Sequence, residues 1–171
     1  MFLKKESHSV AGAILSEDKK SILLILRRDV PVWALPGGGV EENESPDTAV
    51  LREIFEETGL TCKINRKLVL YMPKNALANH CHLYLCEKIS GDLCLSQETS
   101  KIAYFPLEKL PSTLAPPFSE MMGDIINNLT FHVKYHKNIS YLRFIYLLLS
   151  HPLLIFRFIL SRLGMPINKC C

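Results

Sequence analysis

Residues 38–60 read GGVEENESPDTAVLREIFEETGL, and the fold of the chain turns on them. Ser45-Pro46 is a helix start: a serine hydroxyl caps exposed N–H groups, and proline at the first helical position has no N–H to leave orphaned. Gly59 supplies the left-handed residue that stops the helix. Between these signals Ala49, Val50 and Ile54 line an apolar side. Glu53, Glu56 and Glu57 are related by spacings of three and four, so their carboxylates share one face of about one turn. Like charges so placed repel and weaken an isolated helix. Two readings follow. One is a solvated acidic face with Arg52 in ordinary ion pairs; the other is a site where a hard divalent cation, Mg²⁺ or Mn²⁺, neutralises the cluster. The glycine run before the helix and the full spacing favour the second.

The intervals also carry a resemblance. Gly38, Glu44, Arg52-Glu53, the aliphatic Ile54, Glu56-Glu57, Gly59 and the aliphatic Leu60 match the Nudix box, G-x5-E-x7-R-E-U-x-E-E-x-G-U, at every position. Seven fixed residues at roughly 7% background frequency match by chance on the order of once in 10^8 starting points. The chain therefore resembles Nudix hydrolases of the MutT-like type, over about residues 5–130. The resemblance implies an α/β fold, the Nudix-type α/β/α sandwich with a mixed β-sheet, in a domain of residues 1–138. A C-terminal apolar and basic helical extension, residues 139–171, follows it.

The resemblance further implies Mg²⁺-dependent hydrolysis, with Mn²⁺ as the alternative ion, of a diphosphate linkage in a nucleoside diphosphate derivative. Water attacks at phosphorus. Glu56 and Glu57 become the principal metal ligands, with Glu53 as ligand or general base. Arg52 orients a neighbouring glutamate and Glu44 supports the loop or a further metal. From the glycine loop Gly37-Gly38-Gly39 a carbonyl, assigned to Gly38, joins the metal shell. Glu98 resembles the extra loop carboxylate that many members bring to the metal; its alternative is an exposed loop acid. A nucleoside triphosphate, a nucleotide sugar, ADP-ribose and a 5′-triphosphate RNA end all remain open as substrates, since Pro73, Tyr71 and Tyr84 mark no subgroup.

Outward from the box, residues 7–15 and 21–28 read as strands around a polar turn. Arg27 and Arg28 close the second; they either finish an edge strand in solvent or reach a substrate phosphate, which planar guanidinium donors suit. Trp33 reads as core packing. Residues 62–72 and 79–87 are strands, and in the second His80, His82 and Tyr84 alternate with Cys81, Leu83 and Leu85. The two histidines read as solvated or packed imidazoles rather than metal ligands. Gly91-Asp92 predicts a hairpin, 102–106 a further strand, 107–111 a helical turn and 118–128 a closing helix.

At 171 residues and 48% hydrophobic content the chain suits one domain with an extension. No secretory signal is visible, and six cysteines without a C-x-x-C pair predict reduced thiols in a cytoplasmic protein. The net charge of +3 hides an asymmetry, since no acid follows Asp124. Residues 140–163, SYLRFIYLLLSHPLLIFRFILSRL, are apolar with Arg143 and Arg157 and are interrupted by Pro152. They read as a helix packed on the body or across a homodimer, an in-plane helix on an anionic membrane surface, or a tilted span. The terminal Cys170-Cys171 is not a C-a-a-X ending. Two rivals to a soluble hydrolase are a non-catalytic nucleotide-binding Nudix domain and a membrane-associated hydrolase of a lipid-linked diphosphate. The first usually loses box carboxylates, and none is lost here.

Overall fold

The computed structural model describes residues 7–74, 79–127 and 130–136, with Phe156 alone beyond them. The expected extension, 139–171, therefore lies outside the described residues except for Phe156. Within them the order is β1 (His8–Ile14), β2 (Ser21–Arg27), β3 (Trp33–Ala34), α1 (Pro46–Thr58) and β4 (Thr61–Met72). β5 (His80–Ser90), β6 (Thr99–Pro106), α2 (Pro116–Asn127) and β7 (His132–Tyr135) complete it. Strands β1, β5, β4 and β7 form one sheet in that order, with β1 parallel to β5, β4 antiparallel to β5, and β7 parallel to β4. A second, antiparallel sheet has the order β3-β2-β6. Leu15 bridges Ile22 where β1 turns into β2, so the hairpin joins the two sheets.

Strand alternation sorts the apolar side chains onto two faces. Val10 and Ile14 of β1, Leu23 of β2 and Tyr84 of β5 pack with Ala49, Val50 and Ile54 of α1. Ala11, Ala13, Ile22, Leu24, Val69 and Leu83 pack instead with Met121, Met122 and Ile125 of α2. One helix covers each face, which is the α/β/α arrangement. Each fully buried Leu or Ile contributes roughly 1.5–3 kcal/mol. Trp33 sits edge-on to Phe105 at 4.6 Å against the α2 core, as packing and not as an exposed platform.

The expected mixed sheet is β1-β5-β4-β7, with the antiparallel β3-β2-β6 beside it. Two details depart from the expected elements. Gly91-Asp92 makes no hairpin: after β5 the chain crosses to the other sheet, passing the end of α1, where Cys94 N–H donates to Thr58 O at 2.9 Å. Strand β7 was not foreseen, because four residues of weak alternation carry no turn signal of their own.

β7 is tied to α2 and β4 by polar groups. The Tyr71 hydroxyl donates to the buried Asp124 carboxylate. Lys134 Nζ lies 2.5 Å from Asp124 Oδ2 and 5.2 Å from the Tyr71 ring centre, and His136 stacks on that ring at 4.8 Å. Asp124→Ala would leave a hydroxyl and an ammonium without their shared acceptor. Stability should fall by roughly 2–4 kcal/mol in urea titration, with a smaller loss for Asp124→Asn.

On the α1 side of the sheet His82 is buried, its Nε2 3.0 Å from Nδ1 of His8, and no metal-binding cluster includes it among the described residues. Burial first, then the charges of Lys67, His8 and His80, outweigh Asp47 and push its pKa down to about 4. The unfolded chain takes up that proton near pH 6.5. Stability should therefore drop as pH falls from about 6.5 to about 4, and His82→Gln should flatten the drop in urea midpoints across that window.

Candidate active site

Helix α1 begins as its residues dictate. The Ser45 hydroxyl accepts the Thr48 N–H at 3.1 Å, Pro46 takes the first turn, and Tyr84 OH donates to Asp47 at 2.6 Å to pin that turn to β5. Gly59 ends the helix at φ 76°, and its N–H donates to Phe55 O. A Cβ at Gly59 would stand 2.6 Å from Asp92 O, so the crossing segment can lie directly over the helix end.

On the other flank a cleft of about 560 Å³ is bounded by Gly37, Gly38 and Gly39, by Arg52, Glu53, Glu56 and Glu57, and by Glu98. Arg52 is its hub. Nε and Nη2 donate to the two Glu44 oxygens at 2.9 Å each, Nη1 donates to Glu53 Oε1 and Glu56 Oε2 at 3.0 Å, and Nη2 also donates to Gly39 O at 3.1 Å. The five guanidinium N–H groups have five acceptors. Hydrogen bonding to Arg52 lowers the Glu44 pKa.

Glu57 faces inward, only 4% exposed, with Oε2 accepting the Gly37 N–H at 2.8 Å. Burial dominates and, helped by Glu53 and Glu98, pushes its pKa up to about 8 against the Gly37 bond and Arg27. Glu53 is also raised by burial, against the pull of Arg52. The cleft thus penalises its own negative charge, and a cation there would remove the penalty. The donor set, carboxylate oxygens, suits a hard divalent ion. Among the described residues no three acids converge at metal-binding spacing. Glu53 and Glu56 are turned to Arg52, and Glu57 to Gly37.

The other expected residues divide. Glu98 lies in the same cleft, although 41 positions past Glu57 in the chain. Arg27 lines it too, with Nε and Nη2 held on Asp29 at 2.9 and 2.6 Å. Arg28 does not border it. Its Nε and Nη2 donate to Gln97 O and Thr99 O at 3.1 and 3.2 Å, while its backbone N–H donates to Glu98 O at 2.8 Å. Its guanidinium thus holds the main chain of the loop that carries Glu98.

Gly38 lines the cleft and its carbonyl accepts the Val10 N–H at 2.9 Å, while the glycine whose N–H meets Glu57 is Gly37. A Cβ at Gly38 would lie 2.3 Å from Glu53 Oε1, so a side chain there would have to displace that carboxylate. Ser96 and Gln97 also line the cleft and were missed. The Ser96 hydroxyl accepts the N–H groups of Glu98 and Thr99 at 3.1 Å, and a serine in a loop carries no sequence signal for that.

Comparison with known proteins matches residues 6–128 to the NUDIX domain. A Bacillus subtilis (strain 168) protein, provisionally named an 8-oxo-dGTP diphosphatase, is 33% identical over 120 residues, covering 68% of this chain and 78% of its own. An ADP-ribose pyrophosphatase of Methanocaldococcus jannaschii is 38% identical over 104 residues, 57% of this chain and 61% of its own. The crystal structure of MutT protein from Methanosarcina mazei Go1 superposes with a TM-score of 0.61 at 26% identity, covering 75% of this chain and all of that one. The match runs through both sheets and both helices as well as the acidic turn, and on that extent the chain belongs to the Nudix family, as a hydrolase acting on diphosphate bonds.

Proposed function

We propose that residues 1–138 form a divalent-cation-dependent hydrolase, with Mg²⁺ as the ion and Mn²⁺ able to replace it, acting on a nucleoside diphosphate derivative. The observation that carries this reading is the five-bond Arg52 hub, which holds Glu44, Glu53 and Glu56 around the cleft that Glu57 and Glu98 also line. Relatives named for 8-oxo-dGTP and for ADP-ribose support a nucleotide substrate without choosing between a triphosphate and a two-headed diphosphate.

Glu56, Glu57, Glu53 and Glu98 would hold the ion. Such an ion, when bound, neutralises the diphosphate and lowers the pKa of a water. The chain's own residues do the rest. Gly37 N–H fixes the Glu57 carboxylate. Arg52 fixes Glu53 and Glu56 while balancing part of their charge. Arg27, fixed by Asp29, presents its remaining N–H groups to a phosphate oxygen. Glu53 has two roles open to it, ion ligand or acceptor of the proton from the attacking water. One water is consumed, one P–O bond forms and the bridging P–O bond breaks, leaving two phosphate-terminated products.

The test is product analysis on a panel of nucleoside triphosphates, ADP-ribose and nucleotide sugars with Mg²⁺. Wild type should cleave at least one, chelation should stop it, and Glu57→Gln should abolish turnover without unfolding the chain. Full Mg²⁺-dependent activity in Glu57→Gln would falsify the assignment of the helix as the ion site.

The loop clamp makes a separate prediction. Arg28→Gln should release the Glu98 main chain and weaken Mn²⁺ binding, read by calorimetry, by roughly 10–100-fold, while KM for the substrate changes less. Arg27→Gln should do the reverse, raising KM with ion affinity kept.

A further inference from the structure

Between Ser90, the end of β5, and Thr99, the start of β6, the chain that brings Glu98 to the cleft forms neither helix nor strand. Its path is therefore set by the points at which it touches the body. Downstream, Arg28 holds Gln97 O and Thr99 O, and the Ser96 hydroxyl accepts the Glu98 N–H. Upstream, the segment leaves β5 at Gly91 and passes against the end of α1.

Two glycines meet at that crossing. Gly91 has φ 93° and Gly59 φ 76°, both in the left-handed region. A Cβ on Gly91 would lie 2.5 Å from Gly59 O, 3.2 Å from Leu60 Cα and 3.3 Å from Thr61 N, all main chain. From the other side, a Cβ on Gly59 would meet Asp92 O and Cys94 Cβ at 2.6 and 2.9 Å. With no side chain on either glycine, the two backbones are in direct contact. Three residues after Gly91, the Cys94 N–H donates to Thr58 O at 2.9 Å and fastens the contact.

The α1 side of this contact is firmly held. The Thr58 hydroxyl is buried, donates to Ile54 O and accepts the Leu60 N–H, and Leu60 itself lies in the core. A substituent at Gly91 thus finds no flexible side chain to push aside. Reaching ordinary contact distance needs a backbone shift of about 1 Å, and the segment without helix or strand is the side that yields. Glu98 follows only seven residues later and would carry that shift into the cleft. We infer that Gly91 is a positioning residue of the active site: its close approach to Gly59 sets the point from which the chain delivers Glu98 to the acids of α1. Gly91 acts through Glu98, and its role rests on the reading of the cleft as an ion site.

The test is a double-mutant cycle on the full chain, read as Mn²⁺ affinity by calorimetry without substrate. Gly91→Asn is the main variant, because asparagine tolerates positive φ and so mainly adds the Cβ contact; Gly91→Ala adds backbone strain as well. Both should stay folded in urea titration and bind Mn²⁺ on the order of tenfold more weakly. In a Glu98→Gln background, itself weakened, Gly91→Asn should change affinity by less than about twofold, since the group it positions is already gone. A general loosening of the fold would weaken binding equally in both backgrounds. Equal losses there, wild-type affinity in folded Gly91→Asn, or wild-type affinity in Glu98→Gln each overturn the proposal. So does failure of both Gly91 variants to fold, because Gly91 is then a requirement of the fold and not of the site. Glu57→Gln binding Mn²⁺ as tightly as wild type would remove the ion-site reading itself, and the proposal with it.

Discussion

Five glutamates line one half-buried cleft, where their charges would drive one another apart, and the guanidinium of Arg52 is what permits the arrangement. Its planar fork meets both oxygens of Glu44, one each of Glu53 and Glu56, and the Gly39 carbonyl. Lysine has three donors about a point and could not span these acceptors in one plane. Everything near the cleft serves that geometry. Glu44 is held by the Glu41 N–H as well, Gly38 has no side chain so that Glu53 can lie against it, and Glu57 is anchored from the opposite wall by Gly37.

The second wall of the cleft is built from a distance. The segment after β5 is fastened to the end of α1 through Cys94 and Thr58, then to β2 through Arg28, before it enters β6. Glu98 is therefore placed by both sheets at once. This explains why the two-sheet architecture matters to the chemistry: a hairpin at Gly91-Asp92 would have returned the chain along β5 and left Glu98 away from the helix.

The same sandwich separates the chemistry from the rim. Acids concentrate at the α1 flank, whereas β7 and its approach expose Phe131, Val133 and Tyr135. Asp124, buried between Tyr71 and Lys134, fixes β7 on α2 and so keeps Phe131, Val133 and Tyr135 turned outward.

Sequence alone was sufficient for helix α1, because its start, stop and acidic face are all local: Ser45-Pro46, Gly59, and glutamates at spacings of three and four. Strands β1, β2, β4, β5 and β6 were legible within a few residues, since apolar alternation is also a short-range property; the short β3 and β7 were not. The box spacing carried Arg52, Glu53, Glu56 and Glu57 into one site without any coordinates. What only the tertiary structure decided were the choices among long-range partners. It separated Arg27 from Arg28, adjacent in sequence, by giving one to Asp29 and the cleft and the other to the Glu98 loop. It gave the Gly38 carbonyl to Val10, and it paired a four-residue β7 with β4 across 63 positions of chain. A local pattern fixes which way a side chain leaves its own helix or strand; which group it meets there depends on elements tens of residues away, and no spacing within the sequence encodes that encounter.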